Sequence, residues 1–234
     1  MEKERRKNII ISADDFGVSH QANKNILALV KLGKINRIAV MTQGFLSAQE
    51  IEALKKTNVK IDLHLDLADH IPLKRTLRAG IFFRTAKFLF AHIHDRLNAK
   101  RKKLHFEKQL QKFQEIFGQN PDGINSHQHI HFFPFYFKIV LQLAQKNKIK
   151  FIRFGQKGIL ENSNKIGQIL KFLHKQDLKH FLKTNLSSSD YVLSLDWLNQ
   201  NQIKKELALL PKGKIEIICH PERPEEMKIL KQYL

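Results

Sequence analysis

Cysteine is nearly missing from this chain, with Cys219 the only one among 234 residues. A single thiol excludes an internal disulfide framework and any zinc module built on several cysteines. No run of about 18 apolar residues occurs, so no transmembrane helix is expected. The opening residues, MEKERRKN, lack the apolar stretch of a secretory signal, which points to a cytoplasmic location. Internal repeats and low-complexity tracts are absent. Acids are scarce: 22 Asp and Glu stand against 41 Lys and Arg, for a net charge of +19.

Apolar material is sufficient for a core. Hydrophobic residues make up 42% of the chain, too many for disorder, and residues 1–234 read as a single domain. The charge favours an acidic partner: nucleic acid, an anionic membrane surface or an acidic substrate. A lysine-rich solvated surface accounts for it equally well.

Short β-branched runs alternate with longer helical patterns. NIIISA, RIAVMTQ, VKIDLHLD, KIKFIRF, YVLSLD and KIEIICH read as strands, and DGINSHQHIH holds another, the fourth in chain order. Helices are expected from about Ser19, from Ser47, where Ser47 and Glu50 form a capping-box pattern, and from about Pro134 to Lys148. Such alternation means parallel strands joined by crossover helices. About seven units predict a distorted, TIM-barrel-like (β/α) barrel, with a doubly wound open sheet as the alternative. One segment, 72–103, breaks the rhythm. It is basic and Phe-rich, and it reads either as an inserted amphipathic helix on the barrel rim or as an ordinary barrel helix with a lysine-rich outer face. As an insert, its Arg84, Lys87, Arg101, Lys102 and Lys103 would dock the active-site mouth on an anionic surface, making the protein peripheral at the inner membrane face.

In parallel α/β folds, functional groups gather at the carboxyl ends of strands. Asp14 and Asp15 end the first strand, and His64 lies late in the third. His127, His129 and His131 follow the fourth, Arg153 ends the fifth, and His220 ends the last. Each alone has an ordinary structural explanation, such as a solvated turn or a core histidine. Together they point to one divalent metal ion held by a carboxylate and two imidazoles, with open positions for water and substrate. If the H-x-H-x-H run is extended, its three histidines share a face. They cannot all reach one ion beside His64 and an Asp, so one is a ligand and the others line the pocket. The paired acids then divide two roles, one binding the ion and its neighbour accepting a proton.

SADDFG, DLHLD, NSHQHIHFFP, FIRF and ICHPE resemble, in order and placement, the motifs of the YdjC-like carbohydrate deacetylases, over Asn8 to about Pro221. The resemblance implies a distorted (β/α) barrel that binds a divalent ion, Mg or Zn. It implies Asp15, His64 and His127 as metal ligands and Asp14 as catalytic base. Arg153 would orient the base region, and His220 would protonate the leaving group. His129 and His131 are expected to contact substrate. Many relatives have Gly after the His-Pro pair where this chain has Glu222, so the loop around His220 is expected to differ. The implied reaction is removal of an N-acetyl group from an amino sugar or oligosaccharide, which is lipid-linked if the membrane reading holds. A homodimer fits this picture and a nucleic-acid partner does not. The rival readings are a metal phosphoesterase or nuclease, a non-catalytic binder of anionic polymers or lipids, and a non-haem iron oxygenase. The oxygenase usually uses a β-jelly roll, which the alternation contradicts.

Overall fold

The computed structural model describes residues 8–67, 99–161 and 164–234. The first strand, β1 (Ile9–Phe16), leads through Ser19, whose hydroxyl caps the next helix, into α1 (His20–Lys31). Then come β2 (Arg37–Val40), α2 (Ala48–Lys55) and β3 (Lys60–Leu65), with the Ser47–Glu50 capping box present at the start of α2. After α3 (Ala99–Phe117) follow β4 (Gly123–Ser126), a 3-10 turn (His127–Phe132) and α4 (Pro134–Lys146). The chain continues with β5 (Phe151–Ile152), β6 (Gly158–Ile159), α5 (Lys165–Phe181) and β7 (Tyr191–Ser194). It ends with α6 (Ile203–Ala208), β8 (Ile215–Cys219) and α7 (Pro224–Tyr233).

All eight described strands are parallel, in the order β5-β4-β3-β2-β1-β8-β7-β6, and the sheet curls into a barrel-like shape. Its two ends meet along one seam. Phe151 in β5 bridges Ser187, and Gly158 in β6 pairs with Tyr191, so the stretch from Phe151 to Ile159 runs beside the chain leading into β7. In mid-seam the Phe154 and Gly155 N–H groups both donate to the Ser188 hydroxyl, at 2.9 and 3.0 Å. The seven strands read from sequence are present, and β6 is an addition.

Strands buried on both faces explain the near-continuous apolar runs. β4 and β8 are buried at every residue. Phe106, Leu110, Phe113 and Phe117 press one stripe of α3 onto the barrel, while Arg101 and Lys103 are exposed at its start. Residues 99–103 thus open a helix that packs on the barrel through its later turns. The rest of the expected insert, with Arg84 and Lys87, lies outside the described residues. No described helix is long and apolar enough to cross a membrane.

Candidate active site

The acids ending β1 diverge because the strand bulges there. Its register against β2 shifts between Ala13 and Phe16, and Asp15 sits in the left-handed region at φ 65°. Asp tolerates this conformation better than most residues. Gly17 completes the turn at φ 109°, where an added Cβ would lie 2.7 Å from the Met41 carbonyl. Asn23 on α1 fixes the loop, accepting from the Gly17 N–H at 2.6 Å and donating to the Phe45 carbonyl at 2.8 Å.

Asp15 turns toward two histidines. Its Oδ1 lies 3.1 Å from His64 Nε2 and 2.8 Å from His127 Nδ1. The three donor atoms sit within 4.8 Å of one another. Burial pushes the Asp15 carboxyl up, but the hydrogen bonds and charges of His127 and His64 hold it well below the usual carboxylate range. One carboxylate oxygen and two imidazole nitrogens converging on one point suit a divalent ion.

Asp14 turns the other way, into the barrel. Arg153, following β5 and fully buried, grips it at both oxygens, Nη1 to Oδ2 at 2.6 Å and Nη2 to Oδ1 at 2.7 Å. Arg153 Nε donates to Glu216 Oε1 at 2.8 Å, and that oxygen also accepts from the Ser12 hydroxyl at 2.8 Å. Burial raises the Asp14 carboxyl, yet Arg153 and then His64 bring it down to about 2. Asp14 is therefore ionised and held in one orientation, 4.0 Å from His64 Nε2.

His220 follows β8. Its N–H donates to Glu226 Oε2 at 2.7 Å, and its Nδ1 lies 3.4 Å from Glu226 Oε1. Burial lowers the imidazole, but Glu226, with Asp15 and Asp14, raises it to about 9. His220 is thus a cation at neutral pH. In the same loop, Glu222 Oε2 is buried without a hydrogen-bond partner among the described residues, and its carboxyl is pushed up by burial and by Asp15.

The H-x-H-x-H run does not stay extended. The strand ends at Ser126, and Gln128 and His129 take left-handed backbone angles, φ 54° and 55°. The histidines therefore point to three places instead of sharing a face. His127 meets Asp15, while His129 lies edge-on to Trp197, ring centroids 5.8 Å apart, its buried Nδ1 without a hydrogen-bond partner among the described residues. Burial, reinforced by Arg153, lowers His129 to about 3, so it is neutral. His131 is a correction to the expected substrate contacts. Its ring is fully buried, with Nδ1 accepting from Ser126 Oγ at 2.5 Å and Nε2–H donating to the Arg153 carbonyl at 2.9 Å. It braces the loop and has no nitrogen left for substrate.

Asp62, Asn125, Glu216 and Glu226 adjoin these side chains, and sequence reasoning missed them. Asp62 and Glu216 carried a usable signal, since each is an acid inside an apolar run and needs a buried partner. Asn125 and Glu226 carried none.

Acids, histidines and an arginine thus assemble at the carboxyl ends of the strands of a parallel barrel, the place where such folds gather functional groups. Residues 8–232 match the family model described as YdjC-like protein, and the chain belongs to that family. It is 24% identical over 218 residues to a chitooligosaccharide deacetylase from Escherichia fergusonii, covering 91% of this chain and 81% of the relative. Identity to a carbohydrate deacetylase from Clostridium beijerinckii is also 24%, over 91% and 80%. Against the carbohydrate deacetylase of Xenopus laevis it is 22%, over 65% of this chain, and the chain spans about half of that protein's length, 52%. A solved structure from Enterococcus faecalis V583, provisionally described as a cellobiose-phosphate cleavage protein, superposes with a TM-score of 0.64. It covers 96% of this chain and 90% of its own at 18% identity, which speaks to the fold alone.

Proposed function

We propose that this chain hydrolyses the N-acetyl amide of an amino sugar or N-acetylated oligosaccharide, using one divalent ion. The observation that carries the reading is the convergence of Asp15, His64 and His127 beside an Arg153-clamped Asp14. Two imidazoles and one carboxylate favour Zn2+ over Mg2+, which prefers oxygen donors and retained waters. An ion held there would polarise the amide carbonyl and make water easier to deprotonate.

The protein's own groups do the remaining work. Asp14, ionised and fixed by Arg153, accepts the proton of the attacking water. As the C–O bond forms and the C–N bond breaks, protonated His220 gives its proton to the departing amine, which is a poor leaving group otherwise. Acetate and a free amine result. Glu226 is a positioning residue that holds His220 in place and keeps it charged. Neutral His129 and Trp197 supply a wall for the sugar.

The deciding experiment is acetate release from N-acetylglucosamine oligomers and lipid-linked amino sugars, with chelator and after Zn2+ readdition. Release that chelator stops and Zn2+ restores supports the reading. The absence of release from every N-acetylated sugar would overturn it.

A further inference from the structure

Behind His64 lies a buried chain of polar side chains that the reaction does not consume. His64 Nδ1 is 2.5 Å from Asn125 Oδ1. On its other side, Asn125 Nδ2 faces Asp62 Oδ2 at 3.5 Å. Asp62 Oδ1 is bonded to Arg37 Nη1, and the Arg37 guanidinium lies 3.9 Å over the Phe151 ring. Asp62 and Asn125 are fully buried, and Arg37 is 7% exposed. Strand register brings them together: Ala39 pairs with Asp62, and His64 with Asn125. Space is left for them as well. Gly123 opens β4 where any Cβ would come within 2.8 Å of Arg37 Nη1 and of Asp62 Oδ1.

Hydrogen-bond chemistry gives this chain a direction. A carboxylate paired with a guanidinium only accepts, so Asn125 must present its NH2 to Asp62. Its carbonyl then faces His64, and a carbonyl also only accepts. His64 must therefore carry its proton on Nδ1. A neutral imidazole has one N–H, so Nε2, the nitrogen beside Asp15, is left as a bare donor. Were Asn125 turned over, its NH2 would meet Nδ1 and the proton would move to Nε2, where it blocks a metal.

We propose that Arg37, Asp62 and Asn125 form a positioning relay that selects the Nε2-donor tautomer of His64. The relay rests on the metal-site reading above. It also accounts for a buried ion pair in the barrel floor, where apolar side chains would pack without desolvation cost.

The test uses Zn2+ as probe and needs no turnover. Calorimetric titration of the full chain should show Zn2+ affinity falling about 10- to 100-fold in Asn125→Leu, the usual loss when a ligand's orienting partner is removed. Asp62→Asn should lose several-fold, because an amide in place of that carboxylate can both donate and accept, and so can face either end of the Asn125 amide. Glu216→Gln should lose clearly less than Asp62→Asn, since Glu216 hydrogen-bonds to Arg153 and Ser12 and reaches Arg37 and Asp62 through charge alone. In nitrogen-15 spectra of the Zn2+-loaded wild type, His64 should carry its proton on Nδ1. Zn2+ affinity equal to wild type in both Asn125→Leu and Asp62→Asn would overturn the relay, as would an equal loss in Glu216→Gln. If Asn125→Leu does not fold, Asp62→Asn carries the test with the same two outcomes. These readouts can fail while wild type still releases acetate, and acetate release can fail while they succeed.

Discussion

Two adjacent carboxylates with opposite surroundings should respond differently to the same substitution. Asp14→Asn leaves the Asp15–His64–His127 donor set intact, so it is expected to keep Zn2+ within a few-fold while turnover drops about 10²- to 10⁴-fold. Asp15→Asn should lose both, and metal content measured beside acetate release separates the two. A second expectation concerns pH. In the proposed mechanism His220 acts only when protonated, and its folded value is about 9, so kcat should fall as pH rises through that region. Glu226 is the largest of the influences that raise it. In Glu226→Gln the alkaline limb of the kcat profile should therefore move to lower pH, and an unmoved limb would mean that Glu226 only supports the loop. At this scale the sequence was legible where a chemically loud residue sat at a strand end, as with Asp14, Asp15, His64 and His220. It was silent on Asn125, whose importance comes from its register opposite His64 on a neighbouring strand, a relation no linear spacing records.

Among the elements, the seven longer apolar runs were readable because burial on both faces demands them. β6 was not, since Gly158–Ile159 is two residues long and opens at φ 144°, leaving no periodicity to detect. The 3-10 turn after β4 was hidden for a related reason. Alternating histidines look like a strand, and only the left-handed angles at Gln128 and His129 show that the chain has turned. The seam beside β5 rests on one hydroxyl where backbone pairing lapses. Ser188→Ala removes the acceptor of two N–H groups next to Arg153. It is expected to cost about 1–3 kcal/mol and to speed hydrogen exchange at Phe154 and Gly155 ahead of the β1–β8 pair. Uniform acceleration across the sheet would count against this.

Across the whole molecule, the strong positive charge was plain from composition, but its effect on stability depends on individual burial. Asp177 on α5 is 1% exposed, and neither of its carboxylate oxygens has a hydrogen-bond partner among the described residues. Burial pushes it up to about 7, although Lys138 draws it back. The folded state then holds a proton that the unfolded chain has already released. Stability should decline as pH rises from the ordinary Asp value of 3.8 toward 7, with the loss complete above that. Asp177→Asn should abolish the slope, raising stability at pH 8 by roughly 1–4 kcal/mol and changing little at pH 4. Thermal melts at both pH values check it.

The barrel floor has a consequence for how this sequence can drift. Arg37 and Asp62 neutralise each other there, so losing either strands an ion away from water, at a cost of about 3–5 kcal/mol. Arg37→Met and Asp62→Leu should each be poorly tolerated, while the double variant recovers most of the stability, a coupling that a thermodynamic cycle measures directly. The recovered protein would lack the group that orients Asn125, so it should fold well and bind Zn2+ weakly. Substitutions at these two positions are therefore tied to each other by folding and held in place by the histidine two residues along the strand.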